Sequence, residues 1–284
     1  MTPKGSFMDI AVIALISAVI LTGLVLLVLS LIEPHKLNIT HEMLSPEAKE
    51  GSPEIRLLFF SDLHAEFCFI PKEKVEAIIR EEAKGKGLSA VVFGGDIINN
   101  PKKYKAGAEY LTYIANVCKE LDIPFEGVTG NHDVKIPAKA ISECSFHNIS
   151  NGYTILKSLR DGSDIALSGI NDSGRKHRVW YEPPTVPDTC TKNIVIAHNP
   201  DQILHITDCT KVDYMISGHI HGGQIRTPFK IEFTSLRKDA LPKLDIIAGE
   251  YKINGITLFI SKGIGCVRLP MRLKAVPEIN IIEI

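Results

Sequence analysis

The sequence has no cysteine pair at the CxxC spacing, which removes a zinc knuckle and a thioredoxin-type redox motif together. Its cysteines, Cys68, Cys118, Cys144, Cys190, Cys209 and Cys266, are scattered, and a chain of 284 residues needs no staples to hold a core. Free thiols and a reducing compartment are therefore expected. An excess of charge is missing too: 32 Lys and Arg stand against 33 Asp and Glu, a formal net charge of -1. A nucleic-acid binder concentrates basic side chains to neutralise phosphates, and no such stripe is present, so no nucleic-acid partner is expected. Repeats and low-complexity blocks are absent, and 45% hydrophobic against 23% charged residues exclude a disordered chain.

What is present begins with residues 10–32, an uncharged run broken only by Ser17, Thr22, Gly23 and Ser30. A helix needs about 20 apolar residues to cross a bilayer. One transmembrane helix is therefore expected, behind a short flank at residues 1–9. A secretory signal has a shorter apolar region of roughly 7 to 15 residues and then a small-residue cleavage site. Here Glu33-Pro34-His35-Lys36 follows, which favours an uncleaved anchor over a long cleaved leader. The expected location is the cell membrane, single-pass. Lys4 and Lys36 lie on opposite sides of the run, a tie that leaves the side of the catalytic domain open. Residues 33–54 are polar, contain proline and show no sustained period, which reads as a tether.

Residues 55–284 alternate between short apolar runs and longer segments of helical spacing, the pattern of an α/β domain. Strands are expected at 55–60, 90–93 and 125–129, with amphipathic helices at 74–84 and 105–121 between them. The second half is richer in strand, at 153–156, 165–170, 194–197, 214–217, 257–261 and 279–284. Two packed sheets with helices outside accommodate so many strands in one domain.

Nearly every metal-capable side chain falls just past the end of an expected strand. Ligands of open α/β sheets bind outside the carboxyl ends of the strands, where residues distant in sequence meet. The clusters are Ser61-Asp62-Leu63-His64, Gly94-Gly95-Asp96, Gly130-Asn131-His132-Asp133, Ala197-His198-Asn199-Pro200 and Gly218-His219-Ile220-His221-Gly222-Gly223. Mixed carboxylate, amide and imidazole donors suit Mn²⁺, Fe²⁺ or Zn²⁺ better than a calcium cage or a thiolate site. The number of donors implies two divalent ions, which together can clamp a phosphate and activate a water as nucleophile.

These five blocks, in this order, resemble the calcineurin-like metallophosphoesterase superfamily, whose pattern is DxH, GD, GNH(D/E), a lone H and GHxH. The resemblance covers residues 55–284 and implies a four-layer α/β/β/α sandwich. The run from Gly218 to Gln224 and the closing Ser261-Lys262-Gly263-Ile264-Gly265 are similar to a bacterial branch that includes membrane- and cell-wall-associated phosphoesterases and a UDP-2,3-diacylglucosamine pyrophosphatase. Carried over residue by residue, the pattern implies Asp62, His64, Asp96 and His221 at one metal, with Asp96 bridging to a second held by Asn131, His198 and His219. It places His132 against the scissile phosphate, with Asp133 fixing its orientation. Asn199, Gln224 and Arg226 flank the expected pocket as candidate phosphate contacts. His35, His41, His147, His177 and His205 lie outside it.

The implied activity is dinuclear-metal hydrolysis of a phosphodiester or pyrophosphate, and the anchor points to a lipid or nucleotide-lipid substrate. Soluble nucleotides or cell-wall polymers are the alternative targets, and a non-catalytic scaffold is the alternative of another class. Residues 267–274 interleave apolar and basic side chains, as an edge strand does; a surface resting on an anionic bilayer is the second reading.

Overall fold

A computed structural model describes residues 4–174, 178–234 and 237–284. His177 lies outside the described residues. The long helix α1 (Lys4–Ile32) precedes β1 (Asn38–Met43) and the single turn α2 (Pro46–Lys49). Then follow β2 (Arg56–Phe60), α3 (Lys72–Lys84), β3 (Ala90–Phe93), α4 (Tyr104–Glu120) and β4 (Phe125–Gly127). After a short helix, α5 (Ala138–Ser142), come β5 (His147–Asn148), β6 (Tyr153–Lys157), β7 (Asp164–Ile170), β8 (Lys192–Ala197) and β9 (Tyr214–Ser217). The last elements are α6 (Ile231–Thr234), β10 (Gly249–Ile253), β11 (Ile256–Ile260) and β12 (Glu278–Glu283).

The strands form two six-stranded sheets, β1-β12-β2-β3-β4-β5 and β10-β11-β9-β8-β7-β6. Side chains alternate across a strand, and in β2 both faces are buried. Leu57 and Phe59 meet Ile165, Leu167, Ile194, Ile196 and Phe259 between the sheets. Leu58 and Phe60 pack outward against Val75, Ile79, Leu111 and Ile114 of α3 and α4. A continuous apolar strand is what a sheet covered on both faces requires. The outer face of the second sheet is covered by short helical turns, Pro200–His205 and Leu241–Leu244, with Phe233 and Leu241 on Met215, Leu258 and Ile260. The architecture is thus helices, sheet, sheet, and a thin outer layer of turns.

Three strands are not among those expected from the sequence: β1, the two-residue β5 and β10. Residues 33–54, expected as a tether, include β1, which pairs in parallel with β12 in register from Asn38↔Glu278 to Met43↔Glu283. An edge strand with one neighbour buries little, and β1 shows no fully buried residue; its sequence therefore carries no apolar alternation. β10 pairs antiparallel with β11 across Asn254-Gly255, both at positive φ (53° and 87°). That Asn-Gly pair is a hairpin signal and could have located β10. Residues 267–274 are not a strand: only an isolated bridge, Ile225↔Leu273, marks them.

Candidate metal centre

The carboxyl ends of the parallel strands β2, β3 and β4 in one sheet and β8 and β9 in the other converge on one edge, which gathers the five loops. Backbone hydrogen bonds stitch the loops together: Asp62 N–H donates to Gly95 O (2.8 Å), His64 N–H to Asp96 O (3.0 Å) and Gly218 N–H to His198 O (3.1 Å). Asp62, His64, Asp96, His219 and His221 all have φ between 38° and 69°, a region sparsely populated by side-chain-bearing residues, at about 1–3 kcal/mol each. Strand exits of this kind turn the side chain sharply out of the sheet. Gly95, at φ 93°, sits so close to the third loop that a Cβ there would lie 2.7 Å from Gly130 N.

The side chains meet in two buried groups, Asp62-His64-His221 and Asp96-His198-His219, whose candidate ligand atoms lie within 4.8 Å of one another in each group. Asp96 Oδ2 stands between them, 3.5 Å from His64 Nε2 and 3.1 Å from His198 Nε2. His64 Nε2 faces His221 Nε2 at 3.3 Å, and His198 Nε2 faces His219 Nδ1 at 3.3 Å. Asn131, next in the chain to the His132 whose N–H bonds Asp96, has its Oδ1 buried without a hydrogen-bond partner among the described residues.

This environment fits paired cations. Burial drives the imidazoles of His64 and His219 down to about 3, so they are neutral donors. Burial also opposes charge on His198, yet Asp96, with Asp62 and Asp172, outweighs it and pushes His198 up to about 10. Buried carboxylates thus demand positive charge at this point. An orphaned amide oxygen and ring nitrogens turned toward one another are the geometry of ligands aimed at a common ion.

Five of the seven candidate ligands, Asp62, Asp96, His198, His219 and His221, have a support. Ser61 Oγ–H donates to Asp62 Oδ2 (2.6 Å), and the His219 N–H donates to Asp62 Oδ1 and Oδ2 (3.2 and 3.0 Å). The His132 N–H donates to Asp96 Oδ1 at 2.8 Å. His198 Nδ1 lies 2.8 Å from Gly94 O, which fixes one proton there, so that a cation would take the place of the second proton at Nε2. Two supports were missed in the sequence. Asp239 lies 3.4 Å from His219 Nε2 and pairs with Arg237 at 3.0 Å; despite burial, His219 and Arg237 hold it far below the usual carboxylate range. Arg272, the largest fully buried side chain, donates to the Gly265, Ala275 and Lys262 carbonyls and reaches His221 Nδ1 at 3.3 Å. Neither belongs to a strand-end motif, so only the buried charge reveals them.

The remaining expected residues divide. His132 is half-buried, its ring edge-on to His64 at 5.0 Å. Asp133 does not orient His132: its carboxylate accepts the N–H groups of Asp96 (2.9 Å), Ile97 (2.9 Å) and Gly130 (2.8 Å), locking two ligand loops together. Burial, reinforced by Asp96, pushes its pKa to about 7. Gln224 is not presented to a substrate either: Oε1 accepts Val267 N–H, and Nε2 donates to Val267 O and Leu269 O. Arg226 Nε donates back to Gly222 O at 2.9 Å. Asn199 caps Asp201 through Oδ1, while its Nδ2 is buried without a partner among the described residues, in a cleft with Asp172, Arg178, Trp180 and His198. His35 packs against Phe69 with its ring tilted by 42°, His147 pairs with Glu126, and His205 stacks on Trp180. His41, half-exposed on β1, lies 3.8 Å from Glu82.

Two sheets delivering such ligands to one edge define a metal-dependent phosphoesterase, a hydrolase of phosphate-ester bonds. The chain belongs to the calcineurin-like phosphoesterase family, which residues 55–223 match. The metallophosphoesterase YkuE of Bacillus subtilis (strain 168) is 28% identical over 264 residues, 88% of this chain and 86% of its own. YpbG of the same organism is 25% identical over 246 residues, 83% of each chain. Phosphodiesterase YaeI of Escherichia coli (strain K12) is 24% identical over 246 residues, 83% of this chain and 84% of its own.

Proposed function

We propose that the protein is a membrane-anchored enzyme that hydrolyses a phosphodiester or pyrophosphate bond in a lipid or nucleotide-lipid substrate. The observation that carries this reading is the pairing of a two-cluster phosphoesterase site with an apolar helix built onto the same domain. α1 is long and apolar enough to cross a membrane. Its end is seated on the domain, where Arg272 N–H donates to Ser30 O at 2.9 Å and Ser30 is buried. A leader destined for removal needs no such seat, which favours a retained anchor.

Asp62, His64 and His221 would hold one cation, His198, His219 and Asn131 a second, with Asp96 shared; Mn²⁺, Fe²⁺ or Zn²⁺ suits this donor set. When bound, such a pair supplies positive charge to the phosphate and lowers the pKa of a water toward about 7. Asn131 contributes a neutral oxygen and limits the accumulated negative charge. His132, half-exposed at the edge of the cluster, is placed to steady charge on the phosphate and to give a proton to the leaving oxygen. Asp133 keeps the Asp96 and Asn131 loops in register and acts on the chemistry only through them.

The test is hydrolysis by the Mn²⁺-loaded full chain of lipid diphosphates, nucleotide diphosphates and bis(p-nitrophenyl) phosphate, beside Asp96→Ala and His132→Ala. A preference for lipid-borne phosphate supports the proposal. Equal or better turnover of soluble nucleotides moves the substrate to the soluble class, and neither metal uptake nor turnover leaves a non-catalytic scaffold.

A further inference from the structure

We infer that the turn at residues 267–271 is a bilayer-contacting surface for anionic lipid, held at the rim of the metal centre by the anchor itself. The centre then meets phosphate carried by a lipid at the membrane surface. The inference rests on the anchored reading above and adds to it a face, a depth and a lipid class.

The turn is braced and yet apolar at its tip. Leu269 N–H donates to Val267 O at 2.7 Å, Arg268 takes φ 63°, and the Gln224 amide grips Val267 and Leu269 through three hydrogen bonds. Arg268 and Leu269 project outward, with Leu269 53% exposed. A single exposed leucine is ordinary on a protein surface, so its position relative to the membrane decides the matter.

That position is set by α1. Arg272 N–H is bonded to Ser30 O, and Lys274 and Ala275 donate their N–H groups to the Glu33 carboxylate at 3.0 and 2.5 Å. Ser30 lies inside the apolar run that ends at Ile32, and at 1.5 Å per residue this is about 3 Å from the end of the run. With α1 spanning the bilayer, the Arg272 backbone sits where hydrocarbon meets headgroups. Leu269 follows within about 10 Å, the reach of three extended residues. Arg268 is exposed next to it in the chain, Lys274 is exposed where its N–H meets Glu33, and Lys36 closes the helix end. A basic cluster around an apolar tip matches an anionic interface.

The same turn is bolted to the loops that carry the ligands. Asn99 Oδ1 accepts the Arg268 N–H (3.2 Å) and Asn99 Nδ2 donates to Cys266 O (3.1 Å), just beyond Asp96 in the chain. Gln224 stands just beyond His221, and the Arg272 guanidinium reaches His221 directly. A membrane-seated turn therefore fixes the height of the site above the bilayer.

The full chain in nanodiscs of phosphatidylcholine and phosphatidylglycerol tests this. The sole tryptophan, Trp180, is replaced by Phe, and Leu269→Trp is compared with Leu159→Trp. Leu159 is exposed and bonded through its N–H to Glu54 O, at the strand-entry end of β2. Brominated acyl chains are expected to quench the Leu269→Trp emission and leave Leu159→Trp bright. Equal brightness of the two, with the chain still retained in the discs, overturns the inference alone; loss of the chain from the discs overturns the anchored reading with it. In the native background, Arg268→Glu with Leu269→Glu should raise KM for vesicle-borne phosphate by about a hundredfold, the loss of one buried leucine and one headgroup contact. Turnover of bis(p-nitrophenyl) phosphate should be unchanged, and an equal loss on both substrates overturns the inference.

Discussion

The two sheets furnish chemically different halves of one site. The first supplies the oxygen donors Asp62, Asp96 and Asn131 with His64, and its carboxylates are held by backbone N–H groups and by Ser61. The second supplies the imidazoles His198, His219 and His221, two of them braced by charged side chains from later in the chain, Asp239 and Arg272. Carboxylates accept from any nearby N–H, so a tight loop supports its own ligand. An imidazole needs its far nitrogen addressed by a specific partner, and the chain must return to the site to bring one.

The contrast can be broken most severely where the halves join. Asp96→Ala should lower kcat by about a thousandfold or more, and elemental analysis should show loss from both clusters, because this carboxylate lies within 3.5 Å of a histidine of each. Retention of full metal content would separate the halves. Asp133→Ala should leave three buried N–H groups without an acceptor and destabilise the fold by about 3 kcal/mol in denaturant titration. Asp133→Asn should recover part of that stability.

On the imidazole side the effects are smaller and concern affinity. Asp239→Asn should weaken metal binding by about 10- to 100-fold, with turnover restored by excess Mn²⁺; unaltered affinity by calorimetry would show that His219 needs no brace. Arg272→Lys should weaken it by about tenfold, because an ammonium cannot span several carbonyls and His221 together. Ser61→Ala removes one support among several of Asp62 and should reduce kcat/KM by only about fivefold, about 1 kcal/mol.

The ligand-bearing blocks were readable because strand, glycine and donor are adjacent in sequence, so Asp62-Leu63-His64 or Gly218-His219-Ile220-His221 declares its own geometry. The supports were not. Asp239 follows an unremarkable loop, and Arg272 lies in a stretch whose alternation of basic and apolar residues resembles an edge strand. Gln224 and Arg226 stood at the right place in sequence for substrate, yet the Gln224 amide and the Arg226 Nε bond to backbone. β1 was hidden because a half-exposed edge strand needs no apolar period.

By itself the sequence determined the order of the strands that carry the candidate ligands, the donor types at their ends and the apolar run at the front, since each is written in a local pattern. Only the tertiary structure decided that Asp96 stands between the two groups, that Asp133 serves backbone amides, that Arg272 links the end of α1 to His221, and that residues 38–43 join the sheet. Those facts depend on contacts between residues far apart in the chain, which local periodicity and spacing do not encode.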